Sequence, residues 1–285
     1  MKKKSLNISK RIDPEKAEVI IAVKSIADRY SMSIFIIGAT ARDLVIECAF
    51  GVKTIRATAD IDFGIMVQDW EQFEELTKHL IESGKIRKTV KQYRFLFGDH
   101  QLIDILPFGP IVDNEKIIRL PGSGEMNMIG YDEAFQHAIE VQIQEDPPVF
   151  IKMASPVCLA IMKLVSWHER YPDRDKDAKD FHFIMSHYLE FDNYEDGIEF
   201  HRDLMDSSDF DYELTGARIL GRAIYAIALP MTRKKIEEIL LRETDPYSAY
   251  KFLRDMEGII PNEENFKKNM EYLEQVRTGF LDMRS

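Results

Sequence analysis

The chain is expected to fold as an α+β protein, with helices around a small mixed sheet in its first half and a mostly helical second half. Three observations predict this. Residues 33–37, 55–67 and 101–107 read as strands, from apolar runs or from alternation with period two. Capping residues and amphipathic stripes place helices between them. From Ser155-Pro156 onward, helical patterning dominates. With 285 residues, 45% hydrophobic and 31% charged, the chain exceeds the usual size of one domain and has a globular composition. The expected division is 1–150 and 151–285.

The elements follow in order. Asp13-Pro14 starts a helix, and Ala17, Ile20, Ile21, Ile26 and Ala27 mark its apolar stripe as far as Tyr30. Ser33–Ile37 is an apolar strand. Gly38-Ala39-Thr40-Ala41-Arg42-Asp43 then turns into a helix that Gly51 stops. In the next strand, Arg56, Thr58, Asp60 and Asp62 share one face, while Ile55, Ala57, Ile61, Phe63, Ile65 and Val67 share the other. Asp69 begins a helix with Trp70, Phe73, Leu76, Thr77 and Leu80 on one side and Gly84 at its end. Tyr93–Phe97, the turn Gly98-Asp99-His100 and Gln101–Pro107 read as a hairpin. Between Pro107 and Val149 a loop at 121–124, a short helix at 131–138 and an edge strand at 139–143 are expected. The helical remainder breaks near Tyr171-Pro172, Asp192-Asn193, Ser207-Ser208, Pro230 and Pro261.

Chemistry gathers on three acids. Asp60 and Asp62 lie on one strand face, roughly 7 Å apart along the strand at most. Like charges aimed the same way repel unless a cation lies between them, which makes a metal site the first hypothesis. Asp104 is the only charge in an apolar stretch, where a carboxylate must be paired, hydrogen-bonded or metal-bound. The same cation can satisfy all three. The competing arrangement leaves Asp60 and Asp62 on a solvated face and Asp104 capping a turn. A strand, small residues and a helix also let backbone amides approach a phosphate, with Arg42 adding a planar cation. An ordinary strand-to-helix turn has the same sequence signature. The run Gly84–Arg94 holds five basic residues and no acid, and reads either as a lysine-protected strand edge or as an RNA or triphosphate contact.

Taken together, Gly38–Asp43, Arg56-Ala-Thr-Ala-Asp-Ile-Asp62 and Asp104 resemble the glycine turn, D-x-D pair and third carboxylate of the DNA polymerase β-like nucleotidyltransferases. The nearest likeness is to the AbiEii/AbiGii-type nucleotidyltransferase toxins. Their R-x-T-x-D-I-D strand matches residues 56–62, and their later K-D-x-x-D motif matches Lys176-Asp177 and Asp180; Lys163 falls at the family's lysine position. Ala39 departs from the usual Gly or Ser. The resemblance spans roughly residues 15–185. It implies a polymerase β-like core with a small mixed sheet, followed by a helical C-terminal domain. The implied reaction moves a nucleoside monophosphate from an NTP to an acceptor hydroxyl and releases pyrophosphate. Asp60, Asp62 and Asp104 would be catalytic and would hold two Mg²⁺ ions, or Mn²⁺; Gly38, Ala39, Thr40, Arg42, Lys163 and Asp177 would contact the nucleotide. An RNA acceptor such as a tRNA end and an antitoxin protein are the implied partners. The alternatives are nucleotide binding without catalysis and transfer to a small molecule of the antibiotic type. The GATARD string also resembles the G-G-x-x-R-D loop of CCA-adding enzymes.

Composition narrows the field. A net charge of −11 argues against a surface coated for nonspecific nucleic-acid binding. Cys48 and Cys158, each in an apolar run, read as reduced thiols of a cytoplasmic protein and form no zinc pattern. No apolar run is long enough to span a membrane, and no apolar segment follows the basic N-terminus. The seven histidines lack metal spacing, with His182 and His187 five apart, and no serine has a nucleophile-elbow context.

Overall fold

The computed structural model describes residues 6–53, 58–122, 124–191, 201–208, 210–257 and 262–284. It divides into two compact units, Met1–Ser155 and Pro156–Ser285. Arg56 and the 54–57 part of the expected strand lie outside the described residues, as do the expected breaks at Asp192-Asn193 and Pro261.

The first unit carries strands β1 (Leu6–Asn7), β2 (Ser33–Ile37), β3 (Ile61–Met66), β4 (Ile86–Lys88), β5 (Arg94–Phe97), β6 (Gln101–Phe108), β7 (Ile117–Leu120), β8 (Gly124–Asn127), β9 (Ile139–Gln144) and β10 (Val149–Met153). Eight of them form one mixed sheet in the order β1-β9-β10-β2-β3-β6-β5-β4, and β7 pairs with β8 separately. The sheet is therefore larger than the small one expected. The difference lies in short strands that gain their place from distant partners: β10 pairs in parallel with β2, and β1 covers the edge that β9 was expected to form.

At the centre, β2 and β3 are antiparallel while β3 and β6 are parallel. A parallel pair needs a crossover, and residues 67–100 supply it with helix α3 (Trp70–Glu82) and the β4–β5 hairpin. The Asp69 carboxylate caps α3 by accepting from the Gln72 N–H. Helix α1 (Pro14–Arg29) is capped by Asp13, which accepts from the Glu15 and Lys16 N–H groups, and buries Val19, Ile20, Val23 and Ala27. The expected alternation holds within β3. Ile61, Phe63 and Ile65 are fully buried, whereas Asp62 and Met66 on the opposite face are half-buried. On that opposite face Phe35 lies over Gly64. Its ring packs edge-on against Phe108, centroids 5.3 Å apart, and against Phe135 at 5.5 Å. Strand β3 begins at Ile61, so Asp60 sits in the bend just before it.

The first unit also holds the short helices α2 (Gly38–Arg42) and α4 (Tyr131–Gln136), and in the second unit the described elements are all helical: α5 (Pro156–Arg170), α6 (Asp175–Ser186), α7 (Tyr188–Phe191) and helices over Arg202–Met205, Tyr212–Ile227, Pro230–Glu243, Lys251–Glu257 and Glu263–Asp282. Pro230 opens a helix, where its missing N–H costs nothing. The helices 212–227 and 263–282 meet at Gly221 and Gly279. A Cβ on Gly221 would overlap the backbone of Val276, and one on Gly279 the backbone of Arg218. Gly279→Ala is expected to lower stability by about 3 kcal/mol through overpacking, read as a shift of the urea midpoint.

Candidate active site

The sheet register assembles the first unit's charged group. Asp62 on β3 is the register partner of Asp104 on β6, and Asp104 is the partner of Arg94 on β5. Side chains at paired positions share a face, so all three project together. Arg94 lays its planar fork on Asp104, with Nε 2.7 Å from Oδ1 and Nη2 2.7 Å from Oδ2. The same Nη2 donates to Asp60 Oδ2 at 3.1 Å. Hydrogen bonding to Asp104 outweighs the effect of burial and raises the Arg94 pKa still further. Asp104 is buried, while Asp60 and Asp62 are half-buried.

Gly38 explains how the turn meets these acids. Its φ of +64° suits glycine, and a Cβ there would overlap the Asp62 carboxylate. The turn is fastened at Thr40, which is fully buried and donates its hydroxyl to the Asp60 carbonyl at 2.7 Å. Helix α2 (Gly38–Arg42) continues as a π-helical segment, Asp43–Ala49. Ala39 is half-buried at its start. Arg42 lies in the interior. Only 3% exposed, it donates from Nε and Nη2 to Asp43 Oδ1 at 2.9 and 2.6 Å. Asp43 Oδ2 in turn accepts from the Thr58 N–H at 3.2 Å. Asp43, paired with Arg42, thereby ties the glycine-turn helix to the segment leading to Asp60.

The three acids expected to converge lie together. Asp60 and Asp104 meet through Arg94, with Asp62 against Gly38. Among the described residues, no three acidic, histidine or cysteine side chains stand ready to enclose a metal ion. The donor chemistry still fits a hard divalent ion, because Asp60, Asp62 and Asp104 offer only carboxylate oxygens from one sheet face.

The model of the family described as "Nucleotidyl transferase AbiEii toxin, Type IV TA system" matches residues 37–268, from the end of β2 into the last helix. The chain belongs to the AbiEii family. It is therefore an NTP-dependent nucleotidyltransferase. No curated protein matches the sequence. The solved structures that align with it include the solution structure of the antibiotic-resistance factor ANT(2″)-Ia, 13% identical over 68% of this chain and 97% of that one, with a TM-score of 0.37. They also include the Thermotoga maritima CCA-adding enzyme complexed with tRNA, 12% identical over 92% of this chain and 70% of that one, with a TM-score of 0.27.

In this AbiEii chain the other two expected nucleotide contacts, Lys163 and Asp177, meet each other inside the second unit. Lys163 on α5 reaches Asp177 Oδ1 at 2.8 Å and Asp180 Oδ2 at 2.6 Å. Arg174 adds a 2.6 Å contact to Asp177 Oδ2 and donates to Ser166 Oγ at 3.1 Å. Burial opposes the charge of Lys163, yet Asp177 and Asp180 outweigh it and hold the lysine pKa above its usual value. Burial likewise opposes ionisation of Asp177, but Lys163 and Arg174 hold its pKa below the usual range. The K-D-x-x-D spacing thus places Asp177 and Asp180 on one buried helix face, while Lys176 is exposed.

A pH dependence follows. A depressed carboxylate pKa stabilises the fold above the unfolded value, about 4, and that contribution is lost as pH falls through the folded value. The stability gap between wild type and Lys163→Met should therefore narrow from pH 7 to pH 3 in urea titrations. The raised lysine pKa contributes below about 10.4 and is lost as pH rises through its folded value.

Sequence reasoning overlooked Arg94 as a partner of the acids. The signal was present: counting outward from the turn Gly98-Asp99-His100 pairs residue 97 with 101 and therefore 94 with 104.

Proposed function

We propose that this enzyme moves a nucleoside monophosphate from an NTP to a hydroxyl of RNA, such as a tRNA end, releases pyrophosphate, and acts in the cell as a toxin paired with an antitoxin protein. The observation that carries this reading is the register of Asp62 with Asp104, with Asp60 tied to Asp104 through Arg94, beside the Gly38 turn. Without a side chain at Gly38, the turn packs directly against the Asp62 carboxylate, and its amides are assigned to the phosphate oxygens. Bound at Asp60, Asp62 and Asp104, two Mg²⁺ ions, or Mn²⁺ in their place, would activate the acceptor oxygen and neutralise the departing pyrophosphate. Asp104 is the base assigned to the acceptor proton. Thr40 and the Arg42–Asp43 brace keep the turn and Asp60 aligned for this. We assign the first unit, its boundary moved from 150 to 155 so that β10 stays whole, as the nucleotidyltransferase core domain and the second as a helical C-terminal domain.

The RNA acceptor is supported by the β4–β5 hairpin, next to the strand that carries Asp104. Lys85 is paired with Glu18 and Arg87 with Asp99, while Lys88 and Lys91 are exposed at the turn, the latter 5.7 Å from the Tyr93 ring. Lys88→Glu with Lys91→Glu should raise KM for RNA about tenfold and flatten its salt dependence, with kcat unchanged.

Incubating the protein with each labelled NTP, Mg²⁺ and total RNA, beside an Asp60→Ala/Asp62→Ala control, tests the whole reading. Label should enter RNA only with the intact pair. Nucleotide binding without transfer, or transfer only to a small acceptor, would replace it.

A further inference from the structure

Arg94 answers a problem that the sheet creates. The register sets Asp62 beside Asp104, Asp60 stands one bend away, and three ionised carboxylates in one place repel one another. The guanidinium engages both oxygens of Asp104 and one of Asp60. We propose that Arg94 is a positioning residue that serves as the site's built-in counter-charge, occupying Asp104 and Asp60 until a divalent ion displaces it from Asp104. This inference rests on the metal-dependent reading above.

Three features support an exchange rather than a permanent pair. The arginine fork takes one lone pair on each Asp104 oxygen and sets a positive charge beside both, so a cation binding there meets fewer acceptor sites and a like charge. The Arg94 side chain is 29% exposed against 11% for Asp104, so the arginine is the partner with room to move. Its backbone is pinned on both sides: the Arg94 N–H donates to the Lys91 carbonyl at 3.1 Å, and the Arg94 carbonyl accepts from the Thr89 N–H at 3.3 Å and from Oγ1 at 2.8 Å. The side chain can therefore swing while β5 keeps its register with β6. A fixed positive charge also repels an incoming cation, so Arg94 holds the acids in place and sets the threshold at which metal enters.

Titration of the full chain with Mn²⁺, followed by electron paramagnetic resonance without nucleotide, tests this. Wild type, Arg94→Gln, Arg94→Lys and Asp62→Asn are compared. Arg94→Gln should bind Mn²⁺ about tenfold tighter than wild type. Without metal it should unfold at a lower temperature than wild type, and Mn²⁺ should restore more of its Tm. A folded Arg94→Gln that binds Mn²⁺ equally or more weakly overturns the inference. Should that variant fail to fold, Arg94→Lys, which keeps a charge but loses the fork, decides by the same criterion with a smaller factor. If wild type binds Mn²⁺ and Asp62→Asn does not, yet neither Arg94 variant binds tighter, only the role of Arg94 falls. If no variant and no wild type binds Mn²⁺, the metal-dependent reading falls and takes this one with it.

Discussion

Asp62→Asn is expected to lower nucleotide transfer about a thousandfold while leaving the fold intact. The substitution keeps the shape of the side chain against Gly38 but removes one of the two like charges facing each other across β3 and β6. Relief of that repulsion offsets the lost contacts, so the urea midpoint should hardly move. Asp104→Asn should behave differently. It removes the acceptor of the Arg94 fork in a buried position, so activity and stability fall together. Measuring label transfer and unfolding on both variants separates the two roles. Near-normal turnover by Asp62→Asn would remove that residue from the chemistry.

The largest expected effect on stability lies in the second unit. Lys163→Met should cost about 3–5 kcal/mol, because it strands Asp177 and Asp180 in the interior with one cation fewer. Lys163 is 8% exposed, Asp177 fully buried and Asp180 5% exposed. Replacing all three by well-packed apolar residues should recover much of that loss, because a buried ion cluster contributes little beyond balancing its own desolvation. Urea unfolding of the single and triple variants checks this. A single variant that loses under 1 kcal/mol would mean that the acids find another partner.

Much of the site was legible because it depends on local pattern. The glycine turn after an apolar strand, the D-x-D spacing and the lone acid at 104 each follow from residues a few positions apart. The register of Asp62 with Asp104 rests on a parallel pairing across the α3 crossover, which local pattern does not show. Burial and partner choice were not legible. The sequence around Arg42 does not show that its guanidinium is buried against the adjacent Asp43. The K-D-x-x-D motif looks like solvated charge until α5 brings Lys163 against it. Strand β10 was missed because five residues after a Pro-Pro pair carry little local signal, and its neighbour β2 lies more than a hundred positions earlier.

The crossover between β3 and β6 also governs when the chemistry can begin. A chain emerging from the ribosome shows Asp60 and Asp62 early, but β6 must be made, pass the α3 crossover and dock beside β3 before residue 104 can join them. Strand β10, which flanks β2 on its other side, comes later still. On the proposed role of residue 104, synthesis therefore yields an inactive polypeptide until β6 has docked, and fragments ending before residue 101 should never gain activity.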